Sequence, residues 1–469
     1  MRVRHSLSLV AIVFKILLLL RPLILFSHPS GNNNVREAAM ALRGDGALTE
    51  LHLGIAACGG NIFDRLGNLP GMSEIRRRTY DSSLRNILRL HPSREAVRLV
   101  ANRLGWRSLI AHESGIFCVD AVYAAFDHAV ARRVATICNS SVGTRLKLAG
   151  VYCYEDGALE TFKVAKANGL HRFYDLPIAY WRTARTLLEE EARRWPDWEP
   201  TLVGTRDSAA KCARKDEELE LANTIICASN FVRDSMPPEL LRGKSVSVIP
   251  FGSPESLLKN TSGMENGRSV LENGKKDVSS SAPLRVLFAG SMTQRKGLAD
   301  LFAAMKLLDP ERVELHVMGS PIASMQFYRQ QYSSFIHHAT RSHDQVLQLM
   351  RTMDVFCLPS IVEGRALVMQ EAMSQGLPVI ITPNTGGEDL VDVANPIGGN
   401  DYGRGATGFL VPIRSPGRIV ESIQWCCEHR EEVFEMGNAA ISKAREYTWQ
   451  AYREGIVQTV RASIGRSEK

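Results

Sequence analysis

The sequence predicts an α/β protein of two doubly wound domains that face each other across a cleft. Two observations carry this. Short, very apolar segments alternate with helical segments of ten or more residues, the pattern of a parallel sheet covered on both faces. One composition break, Glu255 to Ala282, divides the pattern in two. It reads "ESLLKNTSGMENGRSVLENGKKDVSSSA", has no sustained apolar period and is expected to be a flexible linker.

In order, the expected units are an apolar N-terminal segment and lead-in (1–47), a first α/β domain (48–254), the linker (255–282), a second α/β domain (283–437) and a C-terminal helix (438–469). Met1 to Arg4 carries two arginines, and Ser6 to Phe26 is very apolar but interrupted by Lys15, Arg21 and Pro22. Three readings stand: a membrane anchor or interfacial helix, an odd signal peptide, and an upstream extension. "LFSHPSGNNN" supplies no small-x-small cleavage site. In the first domain, strands are expected at Leu51–Ala57, Ser108–Ala111, Val151–Tyr154, Arg172–Leu176 and Thr224–Ala228, with another in "KSVSVIPFGSP". In the second they are expected at Arg285–Ala289, Val313–Met318, Val355–Leu358 and Val379–Thr382. Helices are expected there at Gly297–Leu308, Asp344–Thr352, Ala366–Gln375 and Ile419–Met436.

Composition excludes several classes. Of 469 residues, 45% are hydrophobic and 23% charged, which rules out a disordered or fibrous chain. A net charge of +7 without a basic stripe argues against nucleic acid as a partner. Nine scattered cysteines, none spaced C-x-x-C, fit free thiols in a reducing compartment better than disulfides or a structural zinc site. The expectation is a cytoplasmic protein, with peripheral membrane contact through the N-terminal segment.

Two segments carry chemistry. In "VLFAGSMTQRKGLADLF", Val286 to Phe302, a strand runs into Gly290 and Arg295-Lys296-Gly297 opens a helix. Free N–H groups and two cations at a helix start suit a phosphate or diphosphate, although a solvated basic pair reads the same way. Neither a Walker loop nor a dinucleotide fingerprint is present. In "LPSIVEGRALVMQEAMSQGLPVI", Leu358 to Ile380, a strand ends before Glu363-Gly364 and a helix starts near Arg365 or Ala366 and stops at Gly376. Glu363 and Glu371 can both face a ligand at that helix start. Paired carboxylates accept hydrogen bonds from sugar hydroxyls, while a dipole-stabilised Glu363 and an exposed Glu371 are the plain alternatives.

Taken together, Gly290 with Arg295-Lys296-Gly297, the Glu363/Glu371 pair, "NTGGEDLV" and "TGFLVP" resemble the retaining glycosyltransferases of family four, over about Leu284 to Met436. The resemblance implies the GT-B architecture, two Rossmann-like domains with a nucleotide-sugar donor bound to the second. It implies catalytic roles for Glu363, Lys296 and Arg295. Arg295 and Lys296 would contact the donor diphosphate, Glu363 the transferred sugar and Glu371 the ribose. Gly290 would line the donor loop, and backbone amides of Gly364, Arg365, Ala366 and Leu367 would hold phosphates and sugar. Ser291 departs from the Arg that many members carry there. The last helix is expected to cross back onto the first domain, as in proteins of similar architecture.

The acceptor half matches less well. Gly59, Gly60 and Asn61 stand where a glycine-rich acceptor loop or a plain turn fits, and Glu155, Asp156 and Asp175 are either acceptor contacts or helix caps. The expected acceptor is a sugar, a lipid-linked sugar or another small hydroxyl compound. No metal or other cofactor is expected, the nucleotide-sugar being a substrate. A sugar-nucleotide-binding scaffold that does not transfer is the alternative, and an isomerase on the same architecture fits less well.

Overall fold

Two parallel sheets form the frame of the computed structural model, which describes residues 23–67, 73–140, 148–254, 282–393 and 405–467. In the first, the strands are β1 (Leu23–His28), β2 (Leu48–Leu53), β3 (Leu88–Leu90), β4 (Leu148–Tyr154), β5 (His171–Leu176), β6 (Thr224–Cys227) and β7 (Ser245–Val248), in spatial order β3-β2-β1-β4-β5-β6-β7. In the second they are β8 (Leu284–Ala289), β9 (Val313–Met318), β10 (Phe335–His338), β11 (Val355–Leu358), β12 (Val379–Ile381) and β13 (Gly408–Leu410), in order β10-β9-β8-β11-β12-β13. Helices cover both sheets, and the strand interiors are apolar because both faces are buried.

The first sheet corrects the expected boundary at 47/48. Strand β1 pairs in parallel with β2 and with β4, and Ile24, Leu25 and Phe26 are wholly buried. The end of the apolar N-terminal run is therefore a central strand of the first domain. Residues 1–22, on which the anchor, signal and extension readings rest, lie outside the described residues, as does 255–281 of the linker. Among the described residues no helix is long and apolar enough to cross a membrane. Arg107–Ile110 is a 3₁₀ turn, not the strand expected at Ser108–Ala111. The short strands β3, β10 and β13 had no expectation. All nine cysteines are free, and most are buried.

The boundary at 437/438 falls inside a helix, Arg430–Glu446, and a separate last helix follows, Trp449–Ser467. Its Tyr452, Ile456, Val460 and Ile464 are buried against Phe26, Val35, Leu42 and Ile249 of the first domain. Glycine is needed at 252 because a Cβ there would lie 2.3 Å from the Trp449 amide nitrogen. Polar ties join the same faces: Arg461 pairs with Asp45, and Thr224 Oγ1 donates to Ser463 Oγ at 3.0 Å.

A further crossing runs the other way. Trp198 precedes the linker, yet it is 1% exposed inside the second core. Its ring lies edge-on to Phe302, Phe327 and Tyr328, with centroids 5.8, 5.1 and 5.7 Å away. Buried polar groups seal its border. Gln294 Nε2 donates to Glu191 at 2.6 Å and to Asp300 at 2.7 Å, Arg194 pairs with Asp300 at 3.2 Å, and Arg414 Nε donates to Glu191 at 2.5 Å.

Candidate functional site

In each sheet the strand order reverses beside the first strand, between β1 and β4 and between β8 and β11. Loops leaving the carboxyl ends diverge there and open a crevice. The two crevices meet in a cavity of about 540 Å³ that takes lining residues from both domains, among them Asn32, Asn34, Gly290, Lys296, Glu363 and Glu371.

The β1 loop supplies Asn32 and Asn34. His28 Nδ1 accepts from the amides of Ser30 at 3.2 Å and Gly31 at 2.7 Å, and Asn32 caps the helix Asn33–Gly44. Gly31 has φ +79°, and a Cβ there would lie 1.9 Å from the Tyr80 hydroxyl. A glycine-bearing loop thus follows the first strand here, whereas the sequence reading leaves Gly59-Gly60-Asn61 open between such a loop and a plain turn. Those three form a turn in which Asn61 Oδ1 accepts from the amides of Cys58 and Asp64, at 3.2 and 2.9 Å, and none of them lines the cavity.

The β8 loop brings the cations in. Gly290 has φ +146°, and a Cβ there would lie 2.8 Å from Lys296 Cδ, so the missing side chain gives the lysine its path. Gly297, with φ +73°, sits where a Cβ would lie 1.9 Å from the Pro359 carbonyl. The amides of Ile361 and Val362 donate to the Arg295 carbonyl at 2.9 and 3.2 Å, locking the β8 and β11 loops together. Lys296 Nζ donates to Glu363, Arg295 lies 3.1 Å from the same carboxylate, and Arg295 also donates to the Val362 carbonyl at 2.9 Å. Burial pushes the Lys296 ammonium below its ordinary range. Burial alone would raise Glu363, but the two cations outweigh it and hold the carboxyl low. The three are therefore a charged cluster, two cations to one anion, of which Lys296 and Glu363 line the cavity and Arg295 does not.

The helix Leu367–Ser374 follows the β11 loop, starting one or two residues later than expected. Ala366 does not offer its amide to a ligand, because that N–H donates to the Thr385 carbonyl at 3.2 Å, and this corrects the expectation for it. Arg365 is a wall residue: its guanidinium donates to Gln370 at 2.9 Å, the Gly386 carbonyl at 3.1 Å and Asp389 at 2.8 Å. Gly364 allows close approach of the domains, since a Cβ there would lie 1.7 Å from the Pro177 carbonyl, and Ser229 Oγ donates to its carbonyl at 2.5 Å. Leu367 lines the cavity. Glu371 lies farther along the same wall, pushed up by burial, with His343 Nδ1 3.5 Å from its carboxylate.

A second cavity of about 390 Å³ adjoins the first and is lined by Tyr123, Tyr154, Glu155 and Asp156 with Arg295 and Glu363. Two buried carboxylates shape its acidic corner. Glu218 accepts from the amides of Asp156, Ala158 and Leu159 at 2.9, 3.1 and 3.2 Å, and burial pushes it up to about 8. Asp127 accepts from the amides of Glu160 and Thr161 at 2.7 and 3.0 Å. Asp156 holds φ +68°, a conformation that Asp tolerates better than most residues. Glu155 and Asp156 thus line the same cavity as Glu363. Asp175 does not. It is 7% exposed, takes a 3.0 Å hydrogen bond from the Tyr152 hydroxyl, is pushed up to about 7 by burial, and lines neither cavity.

Among the described residues one group, His112, Glu113 and Asp207, lies close enough to share an ion. Lys211 already pairs with Asp207 at 3.0 Å, and none of the three lines either cavity. Sequence reasoning missed Asn32, Asn34 and Tyr123. The run "GNNN" directly before a helical segment was the available signal for the first two.

Comparison with known proteins agrees with this geometry. Residues 283–429 match the family model described as glycosyl transferases group 1. A stretch of 115 residues is 32% identical to the sulfoquinovosyl transferase of Arabidopsis thaliana, covering 24% of this chain and 20% of that protein. A stretch of 190 residues is 25% identical to the D-inositol 3-phosphate glycosyltransferase of Paenarthrobacter aurescens, covering 36% of this chain and 44% of that one. The chain thus matches less than half the length of these curated relatives. Whole-chain likeness comes from solved structures. Sucrose-phosphate synthase of Thermosynechococcus elongatus superposes with TM-score 0.58 at 14% identity, over 94% of this chain and 99% of that one. The Anabaena protein HepE in complex with UDP gives 0.56 at 15% identity, over 94% and 100%. The chain therefore has the GT-B fold, two Rossmann-like domains about a cleft, and its second domain carries the glycosyl transferases group 1 match.

Proposed function

We propose that the chain transfers a sugar from a nucleotide-sugar donor to an acceptor hydroxyl with retention of configuration, in the synthesis of a glycoconjugate or polysaccharide. The observation that carries this is the Lys296–Arg295–Glu363 cluster at the junction of the two cavities. In the reaction the bond from the anomeric carbon to the diphosphate oxygen breaks, and a bond to the acceptor oxygen forms. Negative charge gathers on the departing diphosphate, where Lys296 and Arg295 stand ready, and preorganised charges of this kind stabilise a transition state strongly. As the cations turn to the phosphates, Glu363 is released to accept from a hydroxyl of the transferred sugar. Glu371 accepts from the ribose hydroxyls. With retention the acceptor arrives on the face the diphosphate leaves, so the departing oxygen can take its proton.

The group 1 match over the donor domain supports this, as does the presence of UDP and UDP-glucose in the HepE complexes of the same fold. Because Lys296 and Arg295 supply the charge, the proposal assigns no resident metal. It places the protein in the cytoplasm, with membrane association through the apolar N-terminal segment. A calorimetric screen of nucleotide sugars, followed by transfer assays with the donor that binds, tests the reading. Binding and turnover are expected. Tight donor binding with neither hydrolysis nor transfer would favour the scaffold alternative.

A further inference from the structure

The second cavity lies against Glu363 and shares Glu363, Arg365 and Pro177 with the nucleotide cleft, so it opens where a transferred sugar would meet its acceptor. Its wall has a definite charge. Glu155 and Asp156 stand on the first-domain side. The cations near them are already engaged. Lys215 lies 3.5 Å from Glu155, 3.6 Å from Asp156 and 3.6 Å from Asp207. Arg214 pairs with Asp156 at 3.0 Å, and Lys211 pairs with Asp120 at 2.9 Å and Asp207 at 3.0 Å. On the second-domain side Arg295 is held by Glu363 and Arg365 by Asp389.

A phosphoryl group entering here would face three lining carboxylates, Glu155, Asp156 and Glu363, against two guanidinium groups, Arg295 and Arg365, each already paired with a carboxylate. Carboxylates are good acceptors for sugar hydroxyls, which are neutral donors. The rings of Tyr123 and Tyr154 and the side chain of Ile178 offer apolar faces to the C–H faces of a sugar. The corner is also preorganised, because Glu218 fixes the backbone of the Asp156 turn. We propose that this cavity takes an uncharged sugar or polyol as acceptor, its hydroxyls donating to Glu155 and Asp156, and that it discriminates against phosphorylated acceptors. The inference rests on the transfer reading above.

Donor binding is measured first by calorimetry. If no nucleotide sugar binds, the transfer reading fails and this inference falls with it. With donor bound, transfer is then compared within matched pairs: glucose and glucose 6-phosphate, fructose and fructose 6-phosphate, inositol and inositol 3-phosphate. The uncharged member of at least one pair is expected to exceed its phosphate ester about tenfold or more in kcat/KM, the scale of a close like-charge contact near a protein surface. Asp156→Asn keeps a residue that tolerates the left-handed turn, and it is expected to narrow that gap severalfold. Equal or better use of the phosphate esters, or bound donor with no uncharged member used, would overturn the acceptor assignment while leaving the donor reading standing.

Discussion

The two domains repeat one plan down to its side chains. Glu50 and His52 on β2 correspond to Glu314 and His316 on β9, the strand next to the first in each sheet. In both, the histidine bonds back to its glutamate and forward to a histidine at the next strand. His52 lies 3.0 Å from His91, and His316 lies 2.9 Å from His338, with the imidazoles stacked at 5.2 Å in each pair. The strand-end loops differ. Both domains pin a strand-end loop with glycine that leaves no room for a side chain, Gly31 in the first and Gly297 in the second, but the second also brings Lys296 to the cleft wall. The first builds its corner on buried carboxylates, Glu218 and Asp127, that collect backbone amides. A common frame thus carries a cation-bearing loop in one domain and a carboxylate-rich corner in the other, so the difference lies in the loops rather than the sheets.

Five changes would sharpen or break that contrast. Ile456 belongs to the last helix yet fills the first core, so Ile456→Ala should cost about 2–5 kcal/mol of stability in denaturant titration. A cost well below 1 kcal/mol would mean that the first core closes without the crossing helix. Lys296→Ala should weaken nucleoside diphosphate affinity about ten- to a hundredfold, since hydrogen bonds to charged groups contribute about 1.5–3 kcal/mol. Unchanged affinity in a folded variant would remove the cation-bearing loop from the contrast.

The carboxylates should divide by ligand and by pH. Glu371→Gln should weaken bare nucleotide about fivefold or more, one charge-assisted bond being worth about 1 kcal/mol or more. Glu363→Gln should leave bare nucleotide nearly unaffected and lower turnover. Burial raises Glu371, so its ionised form, the one that only accepts hydrogen bonds, is lost on acidification sooner than for an ordinary carboxylate. Donor affinity should therefore fall as pH drops through the mildly acidic range, and Glu371→Gln should flatten that dependence. Equal effects of both variants on bare nucleotide would end the division of labour. The smallest effect belongs to Arg461→Ala, which removes an exposed pair with Asp45 and should change stability by about 1 kcal/mol or less.

The second half was legible because its chemistry is local. Gly290, Arg295, Lys296, Glu363 and Glu371 sit on two strand–loop–helix units whose boundaries are marked by glycine and proline. The first half hides its first strand. Leu23–His28 is the tail of the long apolar run that opens the chain, and although Arg21 and Pro22 stand directly before it, the run reads as one N-terminal segment rather than as a lead-in and a strand. The loop after it carries a single glycine, Gly31, whose need is set by Tyr80, some fifty residues on. "ACGGN" imitates such a loop but lies off the switch point. Asp175 sits at a strand end like Glu155, but it turns to Tyr152 inside the protein, a tertiary choice without local signature. β3, β10 and β13 are three or four residues long, too short for a period to show.

Trp198 changes how the molecule comes apart. An indole from the first half sealed in the aromatic centre of the second means that neither half has a complete interior of its own. A fragment beginning at Leu284 would carry a void lined by Phe302, Phe327 and Tyr328, and truncating a buried Trp typically costs about 3–5 kcal/mol. The last helix makes the matching loan in the other direction. Heating should then melt the chain in one calorimetric transition rather than two, and co-expressed halves should recover activity only when each brings the other its missing piece.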